Sequence, residues 1–335
     1  MPNYPKVNYI GNKEKLTEWI ISNLPMKEGV VLDLFSGGAS VSYALKKQGY
    51  RVIANDILYS NFVINKAIIE NKDVVLDENI FDMEINKTKI EDKYNTIKFL
   101  SNELYFDNEV YELAKLLCIS DLLQGYEKYM FLSLLRRAMI RKLPYSRMNV
   151  PWNQIVKLRD EEYSYQKYGR KRAYHNLSFQ THMQKNIKNY NDAVFNNGQD
   201  NLSYNIDSSE LMKLLEKSVD IVYMDPPYPK TMNKYFDFYG KFDEMFGKHK
   251  PSMDLCNTQT FLSNFREIIE NCVGKTKFVV ISLSNRTVPT VAEITMMLSN
   301  FGNVSVISKE HQYKVTGKEN KNSSCEELII LKMNE

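Results

Sequence analysis

The sequence predicts an α/β protein: a doubly wound, mostly parallel sheet interrupted by a long inserted region. Three observations predict it. Short apolar runs alternate with stretches of helical periodicity. Several of those runs end in an acid or a glycine turn. The alternation then lapses between about Ile57 and Asn201, where helical and basic sequence takes over. A chain of 335 residues has room for such a sheet and a second lobe.

Glu28–Phe35 is an apolar run ending in Ser36-Gly37-Gly38, after which Val41, Ala44 and Leu45 recur at helical spacing. This reads as strand, tight turn, helix. Arg51–Asp56 is a second strand, ending in an acid. Leu202–Ile206 followed by Asp207 repeats the pattern, with Leu211–Lys217 as a helix. Val219–Met224 reads as a buried parallel strand running into Asp225-Pro226-Pro227-Tyr228. Thr260–Cys272 is helical, Lys277–Ser282 is a strand, and Val304–Ser308 with Glu326–Lys332 closes the chain as an antiparallel edge. Within the interruption, Tyr111–Leu123 and Tyr129–Lys142 carry apolar residues at helical spacing. Asn71–Asn108 is polar without clear period and is expected to be an irregular connection; Pro144–Asn197 is basic and tyrosine-rich. The expected organisation is 1–70 and 199–335 as the two parts of the sheet domain, with 71–198 inserted.

Composition narrows the class. No apolar run approaches the roughly 20 residues that span a bilayer. The start of the chain is too polar for a signal peptide. Cys118, Cys256, Cys272 and Cys325 are scattered, with no CxxC pair. A cytoplasmic protein with reduced thiols and no metal site is expected. Net charge is only +3, yet Arg136–Lys188 holds 13 Lys/Arg against Asp160, Glu161 and Glu162, a local +10 that leaves −7 elsewhere.

Asp225–Tyr228 is the most informative stretch. It sits at the carboxyl end of a strand, where open α/β sheets place ligands. Its prolines fix φ and push the preceding residues into extended geometry. The Asp carboxylate, backbone carbonyls and Tyr ring are then set to accept from, and stack on, an amino group borne by a flat aromatic base. The same four residues would also serve as a merely stiffened loop, and alone they do not choose among DNA, RNA and protein substrates. Asp33–Gly38 permits close backbone approach to a ligand at a helix start. It lacks the G-x-G-x-x-G spacing, which disfavours a pyrophosphate cofactor. Asp56 is placed to accept ribose hydroxyls, a feature shared by NAD and S-adenosylmethionine sites. Asp207 would face the same crevice, or be a solvated strand end. Tyr235–Gly240 would either line a base pocket or pack on the core.

Asn8-Tyr9-Ile10-Gly11-Asn12-Lys13, then Asp33–Gly38, a basic insertion and Asp225–Tyr228 occur in that order. In this the chain resembles the adenine-specific DNA methyltransferases of the group that includes bacterial DNA adenine methylase, among them methylases of type II restriction-modification systems. The resemblance covers most of the chain. It implies a Rossmann-like S-adenosylmethionine-dependent methyltransferase sheet with an inserted, largely helical target-recognition domain. It implies S-adenosylmethionine held by Tyr9, Gly11, Lys13, Asp33, Phe35, Gly37, Gly38, Asp56, Asp207 and Asp225, with Lys13 near its carboxylate. It implies catalysis by Asp225, Pro226, Pro227 and Tyr228 on a flipped-out adenine. Double-stranded DNA is the implied substrate and a restriction endonuclease the implied partner. An RNA base-amine methylase, or a non-catalytic DNA-binding relative, is the alternative. One departure is Ala39, where the family usually has glycine; the turn tolerates it if φ there is negative. Basic residues interleaved with aromatics suit nucleic acid, so Arg136, Arg137, Arg141, Lys142, Tyr145, Arg147, Lys167, Arg170, Lys171 and Arg172 are the expected DNA contacts. His175 and His182 lack a supporting Cys, so no metal is expected.

Overall fold

Seven strands form one sheet: β1 (Val30–Asp33), β2 (Arg51–Asn55), β3 (Leu202–Tyr204), β4 (Val219–Met224), β5 (Thr276–Ser284), β6 (Gly302–Glu310) and β7 (Cys325–Met333). Their order is β3-β2-β1-β4-β5-β7-β6. This computed structural model describes residues 2–169, 171–216, 218–229, 235–248, 250–310 and 325–334. Neighbours from β3 to β5 pair in parallel, and β7 runs antiparallel to both β5 and β6. The final pair is thus antiparallel as expected, but β7 is interior and β6 is outermost. Strand order reverses between β1 and β4, the switch point at which such sheets open a crevice at their carboxyl ends. Asp33 of β1 lies in register with Tyr223 of β4, two residues before Asp225.

The apolar runs of β1 and β4 follow from burial on both faces. Leu32, Val222 and Ile281 join Phe261, Phe265 and Ile268 of the Phe261–Cys272 helix in one cluster. Each such fully buried side chain contributes about 1.5–3 kcal/mol. β3 is shorter than expected because Asn205 turns away, donating its side-chain amide to the carbonyls of Asp56 and Ile57. The helix that follows spans Ser208–Leu214, three residues earlier than its apolar pattern suggested, because Asp207 caps it; Lys217 lies outside the described residues.

The chain divides into two compact units. A sheet unit comprises Lys13–Ile57, Asn197–Lys234 and Lys250–Glu335; a helical unit comprises Met1–Asn12, Leu58–Asn196 and Tyr235–His249. These limits differ from boundaries at 71 and 198. The helical unit begins earlier because Tyr59–Asn65 and the π-helical turn Lys66–Glu70 pack on the Gly125–Arg141 helix, burying Val63, Ile64, Ala67 and Ile68. It also takes in Tyr235–Met245, an α-helix whose Phe238, Tyr239 and Phe242 are buried. Of the two readings of Tyr235–Gly240, Phe238 and Tyr239 take the packing one.

Asn71–Asn108 is not an irregular connection throughout. Lys87–Ile97 is an α-helix capped by Asn86, whose side chain accepts the Thr88 N–H at 2.8 Å. It packs on the Asp107–Leu122 helix with only Ile90 and Ile97 buried, too sparse a pattern to read as a period. No helix among the described residues is long and apolar enough to cross a membrane.

Candidate active site

The turn after β1 is locked to both neighbouring strands. Leu34 N–H donates to the Tyr223 carbonyl at 3.0 Å, and Ser36 N–H to the Asn55 carbonyl at 2.9 Å. Asn55, 1% exposed, donates its side-chain amide to the Leu34 and Ile206 carbonyls, tying the ends of β1 and β3 together. Gly37 takes φ 51, and its N–H donates to Asp56 Oδ2 at 2.8 Å, so the acid after β2 closes the turn after β1. Ala39 is left-handed at φ 65, so the condition of a negative φ is not met and the turn holds alanine in a strained conformation. It is the N-cap of Ser40–Lys47, a position that ordinarily takes extended backbone. Left-handed geometry costs a residue with Cβ about 1–2 kcal/mol, and glycine forfeits about 0.4–1 kcal/mol through its freer unfolded chain. Ala39→Gly is therefore expected to stabilise the protein by up to about 1 kcal/mol; urea unfolding checks this, and a destabilised variant contradicts the strain.

Four acids gather at this edge of the sheet unit. Asp33, 1% exposed, accepts the Ser42 hydroxyl on Oδ2 at 2.6 Å, while its buried Oδ1 has no hydrogen-bond partner. Burial pushes it up to about 7, and the facing Asp225 and Asp56 push the same way. Asp225 leaves β4 with 23% of its side chain exposed. The protein around it excludes water and pushes it up to about 6, with Lys13 pulling down and Glu326 pushing up. Lys13 Nζ lies 3.1 Å from Asp225 Oδ1 and 2.9 Å from Glu326 Oε1. Glu326, in β7, is fully buried and accepts the Ser282 hydroxyl of β5. Pro226 is buried and Pro227 half-buried. Tyr228 packs on the sheet's apolar cluster, and burial pushes its phenol up to about 12.

Among the described residues, Lys13 thus pairs with Asp225 and Glu326, and Asp33 and Asp56 add two further carboxylates close by. A site with surplus negative charge and an unsatisfied buried carboxylate oxygen suits a ligand that is cationic and donates hydrogen bonds. Among the described residues no group of His, Cys, Asp or Glu is arranged to hold a metal. His175 and His182 are buried beside the carbonyls of Arg141 and Tyr174, and burial lowers both to about 4.

Other expected site residues are placed differently. Asp207 is engaged locally: Oδ1 caps the Ser208–Leu214 helix at Ser209 N, 2.9 Å, and Oδ2 accepts Met253 N–H at 2.8 Å. Phe35 packs part-buried against the sheet cluster, and Gly38 is buried. The Asn8–Lys13 motif is split between the units. Tyr9 stacks on Tyr235 and Tyr239 at 5.5 and 5.1 Å within the helical unit. Gly11 there takes φ 83, and a Cβ on it would meet the Tyr235 hydroxyl at 2.9 Å. Sequence reasoning missed Glu326, Ser282 and Asn55. A signal existed for Glu326: it is in phase with the inward-facing Leu328 on an alternating strand.

The basic segment is split by burial. Arg136 is 1% exposed, donates to the Val7 carbonyl at 2.8 Å and lies over the Tyr239 ring. Arg137 is buried and donates to the Lys6 carbonyl. Lys142 is fully buried, 2.7 Å from Glu109. These three side chains are buried inside the helical unit, unlike a surface that meets DNA, although Arg136 Nε and Nη2 have no hydrogen-bond partner there. Arg141 lies half-buried over Tyr174 at 4.0 Å, and Arg147 and Arg172 are half-buried over Tyr145 and Tyr168. Tyr145, Lys167 and Lys171 are exposed. Arg170 lies outside the described residues.

Residues 9–297 match the family profile described as D12 class N6 adenine-specific DNA methyltransferase. The chain is 44% identical over 335 residues to the Type II methyltransferase M2.HphI of Haemophilus parahaemolyticus, covering 98% of each protein. It is 23% identical over 376 residues to the Type II methyltransferase M.NlaIII of Neisseria lactamica, covering 97% of this chain and 99% of that one. It is also 23% identical over 365 residues to the Modification methylase StsI of Streptococcus sanguinis, of which the match takes in 51%.

Proposed function

Because the chain belongs to the D12 class of N6 adenine-specific DNA methyltransferases, we propose that Asp225–Tyr228 is where it methylates adenine, with S-adenosylmethionine as the donor. The observation that carries this reading is Asp225: a carboxylate at the end of β4, at the strand-order reversal, beside the Asp33–Gly38 turn. Bound there, S-adenosylmethionine supplies a methyl group made electrophilic by a sulfonium. Its positive charge and ribose hydroxyls match the surplus of carboxylates and the unsatisfied Asp33 Oδ1.

The chain's own residues then act on the amine. An adenine amino nitrogen is a weak nucleophile, since its lone pair is delocalised into the ring. Asp225 and the Pro226 carbonyl accept its two N–H bonds and draw the lone pair out of the ring plane. The two prolines hold both acceptors at a fixed angle. Such orientation can lower a barrier by roughly 7–11 kcal/mol in favourable cases, and the fixed carboxylate stabilises positive charge developing on nitrogen. Tyr228 supplies a face for the base, which must leave the duplex to reach the site. The chemistry needs no covalent enzyme intermediate, so no cysteine is assigned a role.

The DNA-facing set is Arg141, Tyr145, Arg147, Lys167, Arg170, Lys171 and Arg172, within the target-recognition region. Replacing Lys167, Lys171 and Arg172 together by alanine is expected to weaken duplex binding and flatten its salt dependence by a slope of up to about 3, near one per lost phosphate contact. Titration at several salt concentrations measures this, and an unchanged slope contradicts the assignment. The relatives named as type II methyltransferases support a place in a cytoplasmic restriction-modification pair, with an endonuclease as functional partner. A labelled-cofactor assay on duplex DNA and on structured RNA tests the reading. Label is expected in DNA; label in RNA alone refutes it.

A further inference from the structure

We propose that Glu326, steadied by Ser282, is a positioning residue for methyl transfer: it shares the Lys13 ammonium with Asp225 and keeps the cluster negative where the amine reacts. The inference rests on the methyl-transfer reading above. Its geometry lies wholly in the sheet unit. Lys13, 6% exposed, sits 3.1 Å from Asp225 and 2.9 Å from Glu326, which is fully buried and accepts from Ser282. A buried carboxylate is costly unless it is paired and hydrogen-bonded, and this one is both. Strands β5 and β7 place it there, within reach of the same ammonium as Asp225.

The consequence is electrostatic. Lys13 alone on Asp225 would make a neutral pair, occupying one carboxylate oxygen and weakening it as an acceptor. With Glu326 the three groups carry a net single negative charge, in surroundings that screen it little. In the reaction the amine's lone pair forms the new N–C bond and the C–S bond releases its electron pair to sulfur. The surplus N–H proton passes to Asp225 and on to water. Nitrogen gains positive charge along this path, so a net negative cluster favours the transition state over the ground state. It also raises the affinity of Asp225 for the departing proton.

Among the described residues, the charged and titratable groups that face Asp225 are Lys13, Glu326, Asp33, Tyr223 and Tyr228. Of these, Glu326 is the one whose neutralisation leaves a carboxamide of the same shape between Lys13 and Ser282. The test is single-turnover methyl transfer to duplex DNA as a function of pH, with saturating S-adenosylmethionine, for wild type, Glu326→Gln and Glu326→Asp. Melting temperature and cofactor affinity are measured alongside. Glu326→Gln is expected to lower the plateau rate by about tenfold or more. Its acid limb is expected to move to lower pH, since a charge that pushed Asp225 up is gone. Glu326→Asp is expected to keep the acid limb in place and recover part of the rate. Wild-type rate and profile in Glu326→Gln overturn the inference. So does a slower Glu326→Gln whose limb stays put while melting temperature falls, the mark of a structural role. If Glu326→Gln does not fold, a Glu326→Asp enzyme whose acid limb moves as far as its rate falls overturns it too. Wild type that methylates no adenine is a different failure, that of the functional reading itself.

Discussion

Replacing Asp225 by alanine is expected to lower single-turnover methyl transfer by about 10³-fold or more, with binding of S-adenosylmethionine largely retained. Removing one aligned polar group from a reacting centre typically costs about 10²–10³-fold, and here the same group also orients the nucleophile. Asp225→Asn separates the two contributions: it keeps an acceptor oxygen but not the charge, so an intermediate rate is expected. The variant should also fold well. Asp225 holds its proton more tightly in the folded protein, at about 6 against an ordinary 3.8. Stability therefore falls as pH rises through that window, because ionising Asp225 works against the folded state. Above it, Asp225→Ala removes that penalty, and Lys13 keeps Glu326 as a partner. A melting temperature at pH 7.5 no lower than wild type, together with a lost methyl transfer, is the expected pair of results. Normal turnover in Asp225→Ala contradicts the mechanism.

Glu109→Ala is expected to be the most destabilising single change in the helical unit, by about 3–5 kcal/mol. Glu109 receives Arg159 through both oxygens, at 2.8 and 2.6 Å, and Lys142 at 2.7 Å. Arg159 is 5% exposed and Lys142 fully buried, so truncation leaves two cations in the interior with no carboxylate between them. Burial pushes the Glu109 carboxyl up, but Arg159 and Lys142 together outweigh it and hold it below its ordinary 4.5. Burial tugs Lys142 the other way, lowering it from an ordinary 10.5; the bidentate arginine decides the balance, and the cluster is charged at neutral pH. Because the folded value of Glu109 is depressed, its contribution is present above pH 4.5 and lost as pH falls through the folded value. Urea unfolding reports this through Trp152, which packs on Phe106 beside Arg159. A Trp19→Phe background makes Trp152 the sole tryptophan. A loss under about 1 kcal/mol contradicts a structural role for this network.

Much of the sheet was legible because each strand that shapes the site ends in a chemical signal. Asp33, Asp56 and Asp225 each terminate a run of apolar residues, and three acids at neighbouring strand ends beside one glycine turn mark a crevice. Asp207 looked the same but is a helix cap, since an acid before a helix and an acid after a strand are one and the same letter when the connection is short. Glu326 was hidden for a different reason. Its partners lie far off in sequence: strand pairing brings Ser282 to it across some forty residues, and the fold brings Lys13 across more than three hundred, which no local pattern encodes. The basic segment misled in part because charge was taken as exposure. Met130–Ile140 is apolar on every side of its helix, and such a helix is buried all round. Arginines within it must find partners inside, as Arg136 does on the Val7 carbonyl and the Tyr239 ring. Lys87–Ile97 shows the opposite limit: a helix with two buried apolar residues leaves almost no periodic trace.

The most direct measurement is to sequence genomic DNA, at the level of modified bases, from a host that lacks adenine methylation of its own and expresses this protein. The reading predicts N6-methyladenine at one recurrent sequence with the wild-type protein, and none with Asp225→Ala. Unmodified adenine in wild type, or methyl groups on cytosine instead, would contradict it.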